Sequence, residues 1–203
     1  MTSLRCGMIY MESHKLGWRP LMTSYLDSLP QPFTDDQKQL LSDMFEWLVP
    51  ACLKVIKETP LNIKYSELHL FTSLTKIFSA VMDVPSIKDS KDTKIDTINM
   101  QVVFIFATIW GLSSTIPEAS KKKFDTYFRN LLDGLVKGYS KPQSFKLARS
   151  NLFGDQGTIF EYMINPENPS TWCKWQEQVN YFLKLFIKSV RFFRSPPHQH
   201  HQE

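Results

Sequence analysis

The sequence predicts a mainly α-helical fold, with a short strand near the N-terminus and a small β-rich segment near the C-terminus. Apolar residues recur at helical spacing along much of the chain, and polar capping residues precede several of these stretches. The pattern changes near residue 158, where β-branched and aromatic residues precede a turn rich in proline and asparagine. With 42% hydrophobic and 13% aromatic residues, the 203-residue chain can form a buried core.

The first part of the chain predicts one strand and one short helix. Residues 6–11 (CGMIYM) are apolar and bounded by charge, as a buried strand would be. Pro20 suits the first turn of a helix, which residues 29–32 (LPQP) would end. A strand followed by a short helix is therefore expected before residue 33.

Thr34 begins the clearest helical pattern. Gln37 follows three residues later, which is the spacing of a capping box. The apolar stripe after it consists of Leu40, Leu41, Met44, Phe45 and Leu48. Pro50 has no amide hydrogen and would crowd the carbonyl of Glu46, so a kink or break is predicted there, with helix continuing over residues 51–57.

Three more helical patterns follow. One starts at Ser66 and ends before Pro85, and residues 86–94 (SIKDSKDTK) predict an exposed loop. Asp96 can cap the next helix, which ends at Pro117. Pro117 also opens the last helix, with Lys121, Lys122 and Lys123 as a solvated face. Its predicted buried side consists of Phe124, Tyr127, Phe128, Leu131, Leu132 and Leu135.

Residues 97–117 contain no charged residue and are almost long enough to cross a membrane. The dense apolar part covers only residues 102–112, and polar side chains flank it on both sides. An apolar run of this length favours a helix buried on all sides inside a protein core. A single-pass membrane protein spanning residues 97–117 is kept as an alternative.

Charge and cysteine usage exclude several classes of protein. The formal net charge is +4, and most basic residues are spread along the chain, so no nucleic-acid partner is expected. The three cysteines are far apart and form no CxxC pair, so neither a zinc site nor a disulfide framework is indicated. No signal-peptide pattern stands at the N-terminus, and an intracellular location is expected.

Motifs of catalysis are missing from the sequence. A phosphate-binding loop needs GxxxxGK[ST], and none of the seven glycines stands in that setting. There is no GxSxG elbow and no HExxH helix. The histidines near the C-terminus, His198, His200 and His201, are interpreted as a polar end rather than a metal site. No cofactor, metal or catalysis is therefore expected of this chain alone.

The N-terminal motifs resemble those of one known family. Residues 5–12 read RCGMIYME, residues 16–20 read LGWRP, and residues 26–30 read LDSLP. This succession resembles the dynein heavy chain, in which a similar segment lies late in the second AAA+ module and leads to a Leu-Gly-Trp motif.

Later motifs follow in the order of the same family. Residues 110–112 (WGL) and 123–129 (KFDTYFR) are similar to its lid helices. Residues 157–162 (GTIFEY) and 172–175 (WCKW) are similar to its connector toward the third module. The ordered set is identified as a fragment of an axonemal-type dynein heavy chain, with a helical AAA+ lid-type bundle.

The resemblance implies a division of the chain into four parts. Residues 1–12 would be the terminal strand of an AAA+ large subdomain, and residues 13–140 the helical lid. Residues 141–178 would form the β-rich connector, and residues 179–203 a basic aromatic tail. Trp18, Trp110, Trp172 and Trp175 are interpreted as packing residues of the core or lid, because large aromatic side chains usually anchor cores.

Arg5 is the one candidate catalytic residue, and its role comes from the resemblance. The corresponding arginine resembles an arginine finger that points at nucleotide bound by the neighbouring first module. A guanidinium can fork onto γ-phosphate oxygens during phosphoryl transfer. The alternative is an arginine that anchors its strand through backbone carbonyls.

The resemblance also implies cofactors, partners and location. ATP and magnesium would be bound in the intact motor, and this chain alone would hydrolyse no ATP. Expected partners are neighbouring AAA+ modules of a heavy chain, dynein intermediate and light chains, and microtubules through the intact motor only. The expected location is the cytoplasmic cytoskeleton, in particular the ciliary axoneme.

Two alternatives stay open for the whole chain and for its tail. The chain could be a non-catalytic helical adaptor, or a truncated isoform that binds other dynein subunits.

In the tail, Lys184, Lys188 and Arg191 recur at helical spacing beside aromatic residues. Such a segment could lie on an anionic membrane or fit a calmodulin-like groove, or it could have no selected function.

Overall fold

A computed structural model describes residues 16–30, 33–61, 63–83 and 95–180. The helices are α1 (Arg19–Ser28), α2 (Asp35–Lys57), α3 (Glu67–Met82), α4 (Thr97–Ser113) and α5 (Glu118–Leu132). Short 3₁₀ turns at Arg149–Asn151 and Ile159–Glu161 precede the strands β1 (Tyr162–Ile164) and β2 (Trp172–Lys174). The prediction of a mainly α fold with a small β element near the C-terminus is confirmed. The strand predicted within residues 1–12 lies outside the described residues.

Side chains that the sequence marks as caps begin three of the helices. Thr34 Oγ1 accepts from the amide of Gln37 at 3.3 Å, and Gln37 Oε1 accepts from the amide of Thr34 at 3.1 Å. Ser66 caps α3 by accepting from Leu68, and Asp96 caps α4 by accepting from Ile98. Each cap satisfies an amide that the helix leaves without a partner.

Helix α2 runs continuously through Pro50 to Lys57, so a break at this proline is wrong, whereas the kink predicted as its alternative stays a prediction. Because Pro50 has no amide hydrogen, the carbonyl of Glu46 loses its helical hydrogen bond, and Glu46 is exposed. On either side of Pro50, Val49 and Ala51 are fully buried in the core. Burial of the residues around the proline therefore holds the helix together despite one lost backbone hydrogen bond.

Helix α4 is covered by its neighbours, as the prediction of a buried helix requires. Its inner residues from Met100 to Ile105 and at Ile109 and Leu112 are buried. Among the residues that the structure describes, no helix combines the length and the hydropathy of a membrane span. Gly111 lets α3 approach closely, because a Cβ there would lie 2.5 Å from the Cα of Leu74.

Strands β1 and β2 form an antiparallel ribbon in which Met163 is opposite Cys173. The predicted turn connects them, and the amide of Asn165 donates to the carbonyl of Thr171 at 3.0 Å. The change of pattern near residue 158 does not mark the start of the strand, because Thr158 and Glu161 form a capping box around a 3₁₀ turn. The strand itself begins at Tyr162. Trp172 is the first residue of the second strand.

Residues 141–164 pack onto the helices and share their core. The buried apolar side chains of this stretch are Phe145, Leu147, Phe153, Ile159, Tyr162 and Ile164. Gln101, buried in α4, accepts from the amide of Lys146 at 3.2 Å, and Ser144 donates to Asp43 of α2 at 2.6 Å. The proposed division at residue 140 stays a prediction, but contacts cross it throughout.

Candidate functional site

The candidate catalytic residue Arg5 lies outside the described residues. Within the described residues, the most concentrated polar arrangement lies where α5 meets residues 149–161. It is called the junction here, and residues 149–164 are called the connector loop. Its charged members are Asp125, Arg129, Asp133, Arg149 and Asp155.

Asp125 is at the centre of the junction. Only 8% of this residue is exposed, because it stands on the inner side of α5 between buried Phe124 and Phe128. Its Oδ1 atom accepts from Arg129 Nε at 2.9 Å and from the backbone amide of Ile159 at 2.9 Å. One carboxylate therefore joins the helix to the connector loop, as the hydrogen bonding of a buried charge requires.

Arg129 uses the whole fork of its guanidinium. Beyond the bond to Asp125, Nη1 donates to the carbonyl of Gly154 at 2.9 Å and Nη2 donates to the carbonyl of Gly157 at 3.2 Å. The guanidinium carbon also lies 4.9 Å from the ring centroid of Phe153. Lysine could not reproduce this set, because its ammonium lacks the planar fork.

Arg149 extends the junction outward. Its guanidinium donates to Asp133 at 2.9 Å and to Asp155 at 2.6 Å. The side chains of Arg149 and Asp155 are 59% and 79% exposed, in contrast to 18% for Arg129 and 11% for Asp125. Solvent screens the outer ion pairs, so the inner pair should contribute most of the stabilisation.

The connector loop is shaped locally by Gly157 and Glu161. Gly157 has a φ of +81°, and a Cβ there would collide with the carboxylate of Glu161. That carboxylate accepts from the amide of Thr158 at 2.8 Å, and this hydrogen bond is the main reason why the pKa of Glu161 lies below its ordinary value. The turn therefore presents the Gly157 carbonyl and the Ile159 amide to α5.

Aromatic side chains continue the contact beyond the polar junction. Trp110 of α4 packs edge-on against Phe160 and Trp175, with ring centroids 6.1 Å apart in both pairs. Trp172 donates from Nε1 to the carbonyl of Asn151 at 3.0 Å. Trp18, which precedes α1, is buried and stacks on Phe71 of α3. These four tryptophans act in packing, although Trp175 remains 40% exposed.

The structure brings together two of the sequence motifs. Asp125 and Arg129 belong to KFDTYFR, whereas Gly157 and Ile159 belong to GTIFEY. Both motifs can be seen in the sequence, but neither their contact nor the roles of Asp125 and Arg129 were predicted from it. The available signal was a carboxylate and an arginine four residues apart on a helix whose neighbouring positions are apolar.

Lys121 also departs from the predicted solvated face. Its ammonium lies 5.3 Å from the ring centroid of Phe160 and pairs with Glu118 at 2.7 Å, whereas Lys122 and Lys123 are exposed as predicted. Across the part of the chain that the structure describes, no three histidine, cysteine or acidic residues are grouped to hold a metal ion.

Comparison with known proteins gives this arrangement its context. The sequence model of the family described as "Dynein heavy chain AAA lid domain" matches residues 41–177, which is more than half of the chain. The chain belongs to the dynein heavy chain family. The matched residues run from within α2 past β2, so they include most of α2, helices α3 to α5, the junction and the ribbon of this dynein lid.

Individual dynein relatives agree with the family match. The chain is 35% identical over 187 residues to dynein axonemal heavy chain 3 of Homo sapiens, covering 88% of the chain and 4% of that protein. It is 30% identical over 188 residues to dynein axonemal heavy chain 12 of Homo sapiens, covering 88% of the chain and 6% of that protein. The chain therefore spans a small part of the length of these relatives, and the similarity to axonemal heavy chains confirms the resemblance.

Proposed function

We propose that the chain acts as the helical lid of the second AAA+ module in a microtubule motor heavy chain, with its ribbon leading toward the third module. The observation that carries the proposal is the family match over residues 41–177. That range contains helices and a connector loop that share one core. In this role the lid passes conformational change around the ring of the motor.

Dense packing of the lid helices supports the proposed transmission of conformational change. Phe45, Phe78 and Phe104, from three different helices, are fully buried, and Phe104 lies edge-on to both of the others. Close-packed interiors deform little and transmit displacement, so a push on one helix moves the others with it. The lid would therefore move as a rigid body when nucleotide changes at a neighbouring module.

Arg5 is proposed as an arginine finger toward nucleotide on the neighbouring first module. An arginine supplied in this way can raise phosphoryl-transfer rates by about 10³–10⁵-fold in other nucleotide hydrolases. Arg5→Lys would keep the charge and lose the fork. If Arg5 only anchors its strand through carbonyls, the expected loss is one of stability rather than of turnover in the motor.

ATP and magnesium are proposed to bind in the intact motor, and this chain alone is proposed to hydrolyse no ATP. Its sequence carries no phosphate-binding loop, so it supplies no lysine and amide cradle for phosphates. The test is ATP turnover by the purified chain, measured beside a mock preparation. Turnover that exceeds the mock and disappears in Arg5→Ala would contradict this part of the proposal.

Partners and location follow from the motor context. Trp175 and Val179 are 40% and 50% exposed and stand four residues apart on one side of the helical residues 175–180. This apolar edge suits packing of a neighbouring AAA+ module. Dynein intermediate and light chains are proposed as further partners, microtubules through the intact motor, and the ciliary axoneme as the location.

A chimaeric motor tests the proposed function. Residues 16–180 would replace the matching segment of human dynein axonemal heavy chain 3, and a deletion variant of that protein would lack the segment. We expect the chimaera to retain ATP hydrolysis that microtubules stimulate, and the deletion to lose it. A chimaera that purifies as a monodisperse motor and binds microtubules, yet shows no stimulation, would contradict the proposal.

A further inference from the structure

We propose that Asp125 and Arg129 are positioning residues that make the connector loop follow every movement of α5. The proposal deepens the lid function described above and rests on it for the meaning of that movement. Through these two side chains, α5 makes four hydrogen bonds or close ring contacts with the connector loop, to Phe153, Gly154, Gly157 and Ile159. The pair would thereby join the lid helices to the chain that leads onward.

Direction and burial distinguish this pair from the other contacts of the junction. The rings of Phe124 and Phe160, with centroids 6.2 Å apart, attract each other without fixing a register. Hydrogen bonds from Arg129 to two carbonyls, and from Ile159 to Asp125, are satisfied in one register only. Sliding of the loop along α5 would remove the Ile159 amide from a buried carboxylate and two carbonyls from a mostly buried guanidinium, which would keep only their bond to each other.

The outer ion pairs do not serve the same purpose. Arg149 bridges Asp133 and Asp155, but its side chain and that of Asp155 are mostly exposed. Water can replace these partners when the loop shifts, so the outer pairs resist displacement weakly. The structure thus contains two arginines that bridge α5 and the loop, of which only Arg129 should hold the register. Arg149 is therefore a matched control within the same chain.

Hydrogen exchange of the full 203-residue chain tests the proposal in the absence of any motor. In Arg129→Lys, the fork to Gly154 and Gly157 is lost while the charge is kept. Loss of one charge-assisted hydrogen bond corresponds to about a tenfold change in a local opening equilibrium. We therefore expect backbone amides of residues 149–164 to exchange at least about tenfold faster, while those of α2 to α4 keep their rates. Arg149→Lys should leave both groups unchanged.

A graded series at Asp125 adds a second readout. Asp125→Asn keeps an oxygen that can accept from the Ile159 amide, whereas Asp125→Ala removes every acceptor. The Ile159 amide should therefore exchange faster in the alanine variant than in the asparagine variant. A purely structural role would raise exchange of all slow amides together, because global unfolding exposes them equally.

Two results would overturn the proposal. In the first, connector amides of Arg129→Lys exchange at the rate of the unmodified chain. In the second, connector amides and the amides of α2 to α4 accelerate by the same factor. Both results concern the isolated chain, so they are distinct from a failure of the chimaeric motor, which bears on the proposed function alone.

Discussion

Replacement of Gly111 by alanine tests the close approach of α3 and α4, which organises the core. The added Cβ would lie 2.5 Å from Cα, 2.7 Å from N and 2.9 Å from Cβ of Leu74. Two of these are backbone atoms, which a change of rotamer cannot move away. The substitution therefore requires the two helices to separate or to shift along each other.

The change in the free energy of unfolding is the difference between the cost of overpacking and the gain in helix propensity. Overpacking of a core costs about 1–3 kcal/mol, and the backbone clash places this case near the upper end. Alanine in place of glycine inside a helix returns about 1 kcal/mol. A net loss of about 2 kcal/mol in the free energy of unfolding corresponds to a fall in Tm of about 4–8 °C for a chain of this size.

Thermal unfolding followed by circular dichroism measures this effect. Ile98→Ala provides a control in the same helix, because Ile98 is 43% exposed and its truncation should change stability by less than about 0.5 kcal/mol. A Gly111→Ala variant that melts at or above the temperature of the unmodified chain would refute the reasoning. It would mean that the helices separate easily and that the gain in helix propensity dominates.

Three further predictions concern single side chains. Thr34→Ala removes one half of the capping box and should lower the free energy of unfolding by about 1 kcal/mol, measured by urea denaturation. Burial raises the pKa of Tyr127 to about 12, so its folded state holds a proton that the unfolded state releases near pH 10. Stability should fall as pH rises from 10 to 12, and urea midpoints of Tyr127→Phe should fall less over that interval. Burial also raises the pKa of the Cys52 thiol, so a maleimide should label Cys52 only after denaturation, whereas half-buried Cys173 should react earlier.

The positions of helices could be predicted because their signals are local. Thr34, Ser66 and Asp96 each carry an oxygen that accepts from the first turn, and each begins a helix in the structure. The charge-free stretch was correctly assigned to the core because its dense apolar part is short. Whether the helix breaks at Pro50 could not be decided from the sequence, since burial on both sides of the proline depends on helices far away in the sequence.

The junction could not be predicted because it depends on contacts between distant residues. Asp125 and Ile159 are 34 residues apart, and Arg129 and Gly157 are 28 residues apart. The sequence shows both motifs, but nothing in their spacing states that a carboxylate on α5 accepts from an amide in the loop. The same holds for Gly111, whose closeness to Leu74 follows from helix packing rather than from the local pattern.

The most direct test of the transmission of movement from the lid to the connector loop uses the chimaeric motor. It compares microtubule-stimulated ATP hydrolysis in Arg129→Ala and Arg149→Ala variants of that motor. Both variants remove an arginine that bridges α5 and the connector loop, but only Arg129 is mostly buried. We predict that Arg129→Ala weakens stimulation by microtubules, whereas Arg149→Ala leaves it close to that of the unmodified chimaera. Equal stimulation in both variants, at unchanged microtubule binding, would contradict the account.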